Sequence, residues 1–439
     1  MLHRLTIFLA LWTWANALHA ESYLIMFKKD NLPQLSKDAH KQAMVSLQQS
    51  NEARINQLFL DLGVSKSASP HKDLWLVGAM ELQLKPEALP QVTQLPYVEK
   101  VLINKTRQYI APDLKLVATK DPSWGLRRLA IPEIRTKYPE ATGAGIRVGI
   151  IDTGIQSRHP EFYKKNKIVF HDFTNGLKNP YDDNGHGTHV AGTIAGAKTG
   201  VAPKVEIYSA KAFSASGSAS DDALLSAMQW LYDPDGKPET EDYPHIISNS
   251  WGLELPFAVN DLGEFELLHR AVQAWVNSDI IPVFAAGNSG AAPNGMPGGF
   301  PESIAIAAFD IDSKIASFSS KGPNYWKIDN QVLTLFKPDF AAPGVDIYSA
   351  WPGNKYEYLS GTSMATPHAT GSIALILQKT GRLPVGELKT LLLESMEPKF
   401  DFEFGSGIIN PMAALDGLVN KTFSSPVKTI PELNSVLGL

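Results

Sequence analysis

Residues Ile146–Gly154 read IRVGIIDTG. A short, nearly continuous apolar run ends on an acid, and a Thr-Gly turn follows. Runs of this kind suit strands buried on both faces, as in parallel sheets. Working outward, Val205–Phe213, Ile246–Trp251, Ile280–Ala286 and Ser303–Phe309 have the same character. Helical patterns lie between them, at Asp222–Tyr232, Phe265–Asn277, Ser363–Thr380 and Pro384–Met396. The alternation predicts an α/β domain, a three-layer arrangement with a mainly parallel sheet between helices. In such folds functional groups gather at the carboxyl ends of strands, and Asp152 stands at one.

Two further segments carry chemistry. Asn184–Gly196 (NGHGTHVAGTIAG) sets His186 between glycines at the start of a helix, where small residues allow close backbone approach. Ser360–Gly371 (SGTSMATPHATG) opens a long helix at Ser363, whose N-terminal N–H groups and partial positive charge suit an oxyanion. Each segment alone also fits a plainer role: a turn-capping Asp, a packing His, a helix N-cap. His189 is read as a packing residue. The order Asp, His, Ser on an α/β pattern is one of the known chain orders of a catalytic triad.

Composition narrows the alternatives. The chain has 439 residues, 44% of them hydrophobic and 19% charged, and a net charge of -5. Its basic residues are dispersed, so neither nucleic acid nor an anionic membrane is an expected partner. With no cysteine, disulfides, thiolate metal sites and cysteine nucleophiles drop out. The first residues combine a positive charge, the apolar run Leu5–Trp14 and the small residues Ala15, Ala17 and Ala20. That is the layout of a secretory signal peptide, residues 1–20, cut after Ala17 or Ala20. No later segment is long and apolar enough to span a membrane. Residues 21–110 form a Lys- and Gln-rich module. Strand-like runs at Tyr23–Lys28, Leu74–Leu84 and Val98–Ile103 alternate with helices at Lys37–Leu62 and Pro86–Leu95. A linker at 111–123, a domain at 124–420 and a tail at 421–439 complete the chain.

The quoted blocks resemble the subtilase family of serine proteases from Trp124 to about Asn420. Phe284–Gly290 (FAAGNSG) is similar to the strand and turn bearing the family's oxyanion-hole asparagine, here Asn288. Ser248–Gly252 (SNSWG) resembles the strand that pairs with substrate, and FSSKGP and KPDFAAPG are further family blocks. The stretch after NSWG is most similar to the bacillopeptidase F-like branch. The resemblance implies a subtilisin-like fold preceded by a ferredoxin-like α+β propeptide. It implies a secreted serine endopeptidase, extracellular or periplasmic, made as an autoprocessed zymogen and acting as a monomer on protein or peptide substrates. Asp152, His186 and Ser363 would form the triad, with Asn288 in the oxyanion hole. Ser250, Trp251 and Gly252 would line one side of the substrate, and Gly217, Ser218 and Ala219 the other. Ala285, Ala286, Gly287 and Gly295 would form the main specificity pocket. No acid replaces Ser289 or Gly295, so broad specificity with an apolar or aromatic preference is expected. Glu254, Asp261 and Glu264 follow the substrate strand as possible modifiers. The propeptide would inhibit in cis, with autocleavage between about Ile110 and Trp124. A sulfoxide at Met364, after the nucleophile, would put a polar oxygen against the oxyanion hole, so partial peroxide inactivation is expected, the alternative being an ordinary packing methionine.

One departure concerns metal. Many subtilases hold calcium in a loop after the catalytic histidine, but Ala195–Pro203 (AGAKTGVAP) leaves no room for it. Glu161 alone is not a site of six to eight oxygens. No cofactor or strong calcium site is expected. The pairs Asp182/Asp183 and Asp233/Asp235 are read as solvated loop acids, the alternative being a weak ion.

Overall fold

The computed structural model describes residues 20–28, 39–110, 121–162, 164, 166–254, 263, 265–328, 331–421 and 423. The expected signal peptide, most of the linker, most of the tail, Asp261 and Glu264 lie outside them. The chain forms two compact units: residues 1–106 with 220–229, and residues 107–219 with 230–439.

The first unit holds β1 (Glu21–Phe27), α1 (Ala39–Leu62), β2 (His71–Leu74), β3 (Ala79–Leu84), α2 (Leu89–Thr93) and β4 (Val98–Ile103). The sheet order is β2-β3-β1-β4, antiparallel throughout. This β-α-β-β-α-β order is the ferredoxin-like arrangement. The run expected as one strand, Leu74–Leu84, is instead a hairpin corner. Trp75–Val77 make a short 3₁₀ turn, and Gly78 closes it at φ 65°, where a side chain would be strained. Alternation cannot reveal such a reversal, because Trp75–Val77 are as buried as the strands around them.

The second unit begins with β5 (Thr106–Gln108), which straddles the division, then α3 (Trp124–Arg128) and α4 (Ile131–Lys137). Its sheet contains β6 (Arg147–Asp152), β7 (Ile168–Asp172), β8 (Glu206–Lys211), β10 (Ile246–Asn249), β11 (Ile281–Ala285) and β12 (Ile304–Phe309). It is completed by β15 (Phe340–Pro343), β18 (Glu397–Asp401) and β19 (Gly405–Ile408). The order is β18-β19-β15-β12-β11-β10-β6-β8-β7, and only the edge strand β18 runs antiparallel. The helices are α5 (His186–Ala195), α6 (Asp221–Tyr232, shared between the units), α7 (Glu266–Asn277), α8 (Thr362–Thr380), α9 (Val385–Ser395) and α10 (Pro411–Asn420). β9 (Ser218–Ser220) precedes α6, and the hairpins β13/β14 (Asn324–Ile328, Gln331–Leu335) and β16/β17 (Ile347–Trp351, Lys355–Leu359) lie off the sheet.

Strands β10, β11 and β12 are buried along their whole length, so their apolar residues need not alternate. Helix α8 is buried from Met364 through Leu377, which makes it the central helix of the core. The chain leaves β6 in one direction for β7 and β8, and returns on its other side as β10. The carboxyl ends of β6 and β10 therefore flank a topological switch point, where α/β sheets form a crevice.

Candidate active site

Asp152 ends β6 and His186 begins α5. Both are almost fully buried. His186 Nδ1 lies 2.9 Å from Asp152 Oδ1 and 3.0 Å from Oδ2, so the ring donates to the carboxylate from Nδ1 and leaves Nε2 as the proton acceptor. Asp152 Oδ1 also accepts the N–H of Thr153 at 2.7 Å. The close approach of helix and strand depends on Gly187, where a Cβ would stand 2.2 Å from the Gly154 carbonyl. Gly185 is at φ 113° against the Trp351 ring, a place for glycine alone. His189, one turn on, donates from Nε2 to the carbonyls of Ile347 and Glu357. Burial, and the nearby His186, push it down to about 3, so it stays neutral. The packing role read from the sequence agrees.

The reading of Asp182 as a solvated loop acid is corrected, whereas Asp183 is exposed. Asp182 accepts from the N–H groups of Asn184, Gly185 and Thr188 and from the Thr153 and Thr188 hydroxyls. It caps the helix that carries His186. Asp183 pairs with the buried Lys211 at 2.6 Å. Caps formed across a turn leave little trace in sequence beyond the acids themselves.

Ser363 lies in the first turn of α8. Its Oγ donates to the Ser250 carbonyl at 3.0 Å, and Ser250 Oγ donates back to the Ser363 carbonyl at 2.8 Å. Pro367 explains the second bond. Four residues after Ser363, it has no N–H to give that carbonyl. Asn288 follows β11, and its Oδ1 accepts the Thr362 N–H at 3.0 Å and the Thr362 hydroxyl at 2.9 Å. With Oδ1 thus occupied, the Nδ2 end is fixed. A Cβ placed on Gly361 would sit 3.5 Å from Asn288 Nδ2 and 3.6 Å from Ser363 N. Both nitrogens therefore lie close to one point beside Gly361.

The stretch Gln108–Ile110 lies between the two walls named from the sequence. The Gly217 carbonyl accepts the N–H groups of Tyr109 and Ile110, both at 3.1 Å, and the Gly252 N–H donates to the Tyr109 carbonyl at 3.2 Å. Ser218 Oγ donates to Gln108 Oε1. The Tyr109 ring packs edge-on to Trp251 and against Phe213, and Trp251 rests on Phe284. Ala219 is buried beside this wall. Ser250 is placed differently from the expectation of a substrate contact. It has no exposed surface, and both its oxygens face Ser363. Gly295 N–H donates to the Ala286 carbonyl, which joins the named pocket residues Ala285, Ala286 and Gly287 to Gly295. Leu253 and Met296 exchange N–H···O bonds at 2.8 and 3.0 Å and close the opposite side. Glu254 reaches the rim, where Oε1 accepts the Asn288 N–H at 3.3 Å.

The loop after α5 is closed by side chains. Glu161 Oε1 accepts the Tyr356 hydroxyl, and Oε2 accepts the N–H groups of Lys198 and Thr199. Asp233, Asp235 and Asp242 bring carboxylate oxygens within 4.8 Å of one another. The Lys237 N–H and Thr240 hydroxyl tie that loop to itself, while burial and then Asp242 raise the Asp233 carboxyl.

A family model described as the subtilase family matches residues 143–407. Bacillopeptidase F of Bacillus subtilis (strain 168) is 33% identical over 392 residues, covering 79% of this chain. This chain spans only 26% of that protein's length. M-protease of Shouchella clausii (strain KSM-K16) is 32% identical over 77% of this chain and 79% of its own. Subtilisin DY of Bacillus licheniformis is 36% identical over 65% of this chain and 97% of its own.

Proposed function

The chain belongs to the subtilase family, and from that premise we propose that it is a serine endopeptidase acting through Asp152, His186 and Ser363. The observation that carries the reading is the buried His186–Asp152 pair, which sets Nε2 as the acceptor of the ring, beside the Asn288 Nδ2 and Ser363 N–H groups near Gly361. Ser363 Oγ turns its proton from the Ser250 carbonyl to His186 Nε2 and attacks the peptide carbonyl. Asp152 holds the tautomer and steadies the imidazolium. Asn288 Nδ2 and Ser363 N–H take the oxyanion. His186 then gives its proton to the leaving amine as the C–N bond breaks. Water hydrolyses the acyl-enzyme by the same route.

Substrate binds as an added strand between Gly217–Ala219 and Trp251–Gly252. Gln108–Ile110 supports this, because it already makes such bonds. For the same reason we propose that residues 21–110 are a propeptide, with the stretch after Ile110 cut by the enzyme itself. Ala285–Gly287 and Gly295 favour an apolar or aromatic side chain before the cleaved bond. The Glu161 network supports a loop that is stable without calcium. No described helix is long and apolar enough to cross a membrane, and the N-terminal pattern supports export.

The test is labelling with a serine-directed phosphonate. The purified chain reacts and cleaves casein, and Ser363→Ala does neither. Labelling of Ser363→Ala at the wild-type rate refutes the assignment. Sequencing the N-terminus of the secreted product reads out signal and propeptide removal together.

A further inference from the structure

Lys211 ends β8 and has no exposed surface. A buried ammonium is costly unless paired and hydrogen-bonded. Its Nζ donates to the Thr153 carbonyl at 2.7 Å, the Phe213 carbonyl at 2.8 Å and Asp183 Oδ1 at 2.6 Å. The Tyr181 ring lies 4.9 Å away. Each acceptor belongs to a different part of the site. Thr153 gives its N–H to Asp152 Oδ1, and its Oγ1 accepts the N–H of Gly187, next to His186. Asp183 lies in the loop that delivers His186. Phe213 begins the segment leading to Gly217–Ala219.

We propose that Lys211 is a positioning residue for the Asp152–His186 pair, one ammonium fixing both the strand end that carries the acid and the loop that carries the base. It acts through Thr153 and Asp183 and does not touch substrate. Its charge has a second effect. Around it stand Asp152 on β6, Asp172 on β7, and Tyr181, Asp182 and Asp183 in the loop before α5; His189 on α5 is neutral. Removing the cation leaves these acids uncompensated, which favours the imidazolium of His186.

The test uses the full-length chain. Lys211→Met keeps most of the volume and removes the charge. Its kcat falls between about tenfold and a hundredfold, while KM changes less than about twofold. The acid limb of its kcat/KM profile moves to higher pH by about half a unit. Asp183→Asn, at a partly exposed side chain, removes a negative charge from the same group and moves the limb to lower pH. Lys211→Arg keeps the charge and the limb of the parent. Opposite movements in the Met and Asn variants support the proposal. If Lys211→Met does not fold, the downward movement in Asp183→Asn decides. A parent-like kcat in Lys211→Met, or an unmoved limb in Asp183→Asn, overturns it. The inference rests on the roles proposed for Asp152 and His186. A parent chain without hydrolytic activity overturns those roles, whereas an active parent with unmoved variants overturns this inference alone.

Discussion

Ser250 and Ser363 exchange hydrogen bonds, each hydroxyl donating to the other's backbone carbonyl, at 2.8 and 3.0 Å. The end of β10 is thereby stitched to the first turn of α8 at the proposed nucleophile. Ser250→Ala removes the donor that Pro367 cannot replace and leaves the Ser363 carbonyl unpartnered. The loss is about 1–3 kcal/mol of stability, read by chemical denaturation in a Ser363→Ala background to prevent autolysis. In the active enzyme kcat falls roughly tenfold with KM little changed.

Asn288 offers a cleaner separation of binding from turnover. Asn288→Asp keeps an acceptor for Thr362 but loses the Nδ2 donor. Turnover of a peptide substrate falls about a hundredfold to a thousandfold, with KM nearly unchanged. A KM effect larger than the kcat effect would place the side chain in substrate binding instead.

Acid stability follows from three histidines, His189 and His368 fully enclosed and His245 partly so. Burial holds His189 and His245 down to about 3 and His368 to about 4; nearby charges contribute to the first two. Below the free imidazole value, about 6.5, the unfolded chain binds protons that the folded chain refuses. Stability is therefore fully present above that value and declines as pH falls toward 4. Thermal melts of Ser363→Ala between pH 8 and 4 show the decline, and His368→Gln flattens part of it.

Glu161 has its carboxylate satisfied by donors of the protein itself. Its buried carboxylate receives Tyr356, Lys198 and Thr199. A chelator therefore leaves the melting temperature unchanged, whereas Glu161→Ala lowers stability by about 1.5–3 kcal/mol. A large drop with chelator alone contradicts the reading.

Met364 is buried directly behind Ser363. Its conversion to the sulfoxide places a polar oxygen near the oxyanion space. Peroxide lowers kcat without abolishing phosphonate labelling, and Met364→Leu is resistant.

The fold was legible wherever burial produces continuous apolar runs. Strands β6, β8, β10, β11 and β12 and helices α7, α8 and α9 lie within a residue or two of their expected bounds. Strand β7 was not legible, because Ile168–Asp172 carries His171 and is only partly buried. Strands β15 and β19 are short, and only their neighbours make them strands. Of the side chains at the centre, His186 was visible between glycines, Asp152 at a strand end and Ser363 at a helix start. Their supports were not. Thr153, Asp182, Lys211 and Thr362 are common residue types, and their roles come from partners distant in sequence. Lys211 left a signal of its own, a charge ending an apolar strand as Asp152 does.

Gln108–Ile110 fills the cleft from within the same molecule. An occupant that is covalently continuous with its receptor has a local concentration set by geometry and not by the solution. On the proposed propeptide role, dilution does not empty this groove, and a competing peptide has to displace a tethered segment. A broken bond changes that arithmetic at a stroke, since the strand then leaves at a rate of its own and the surroundings decide whether it returns.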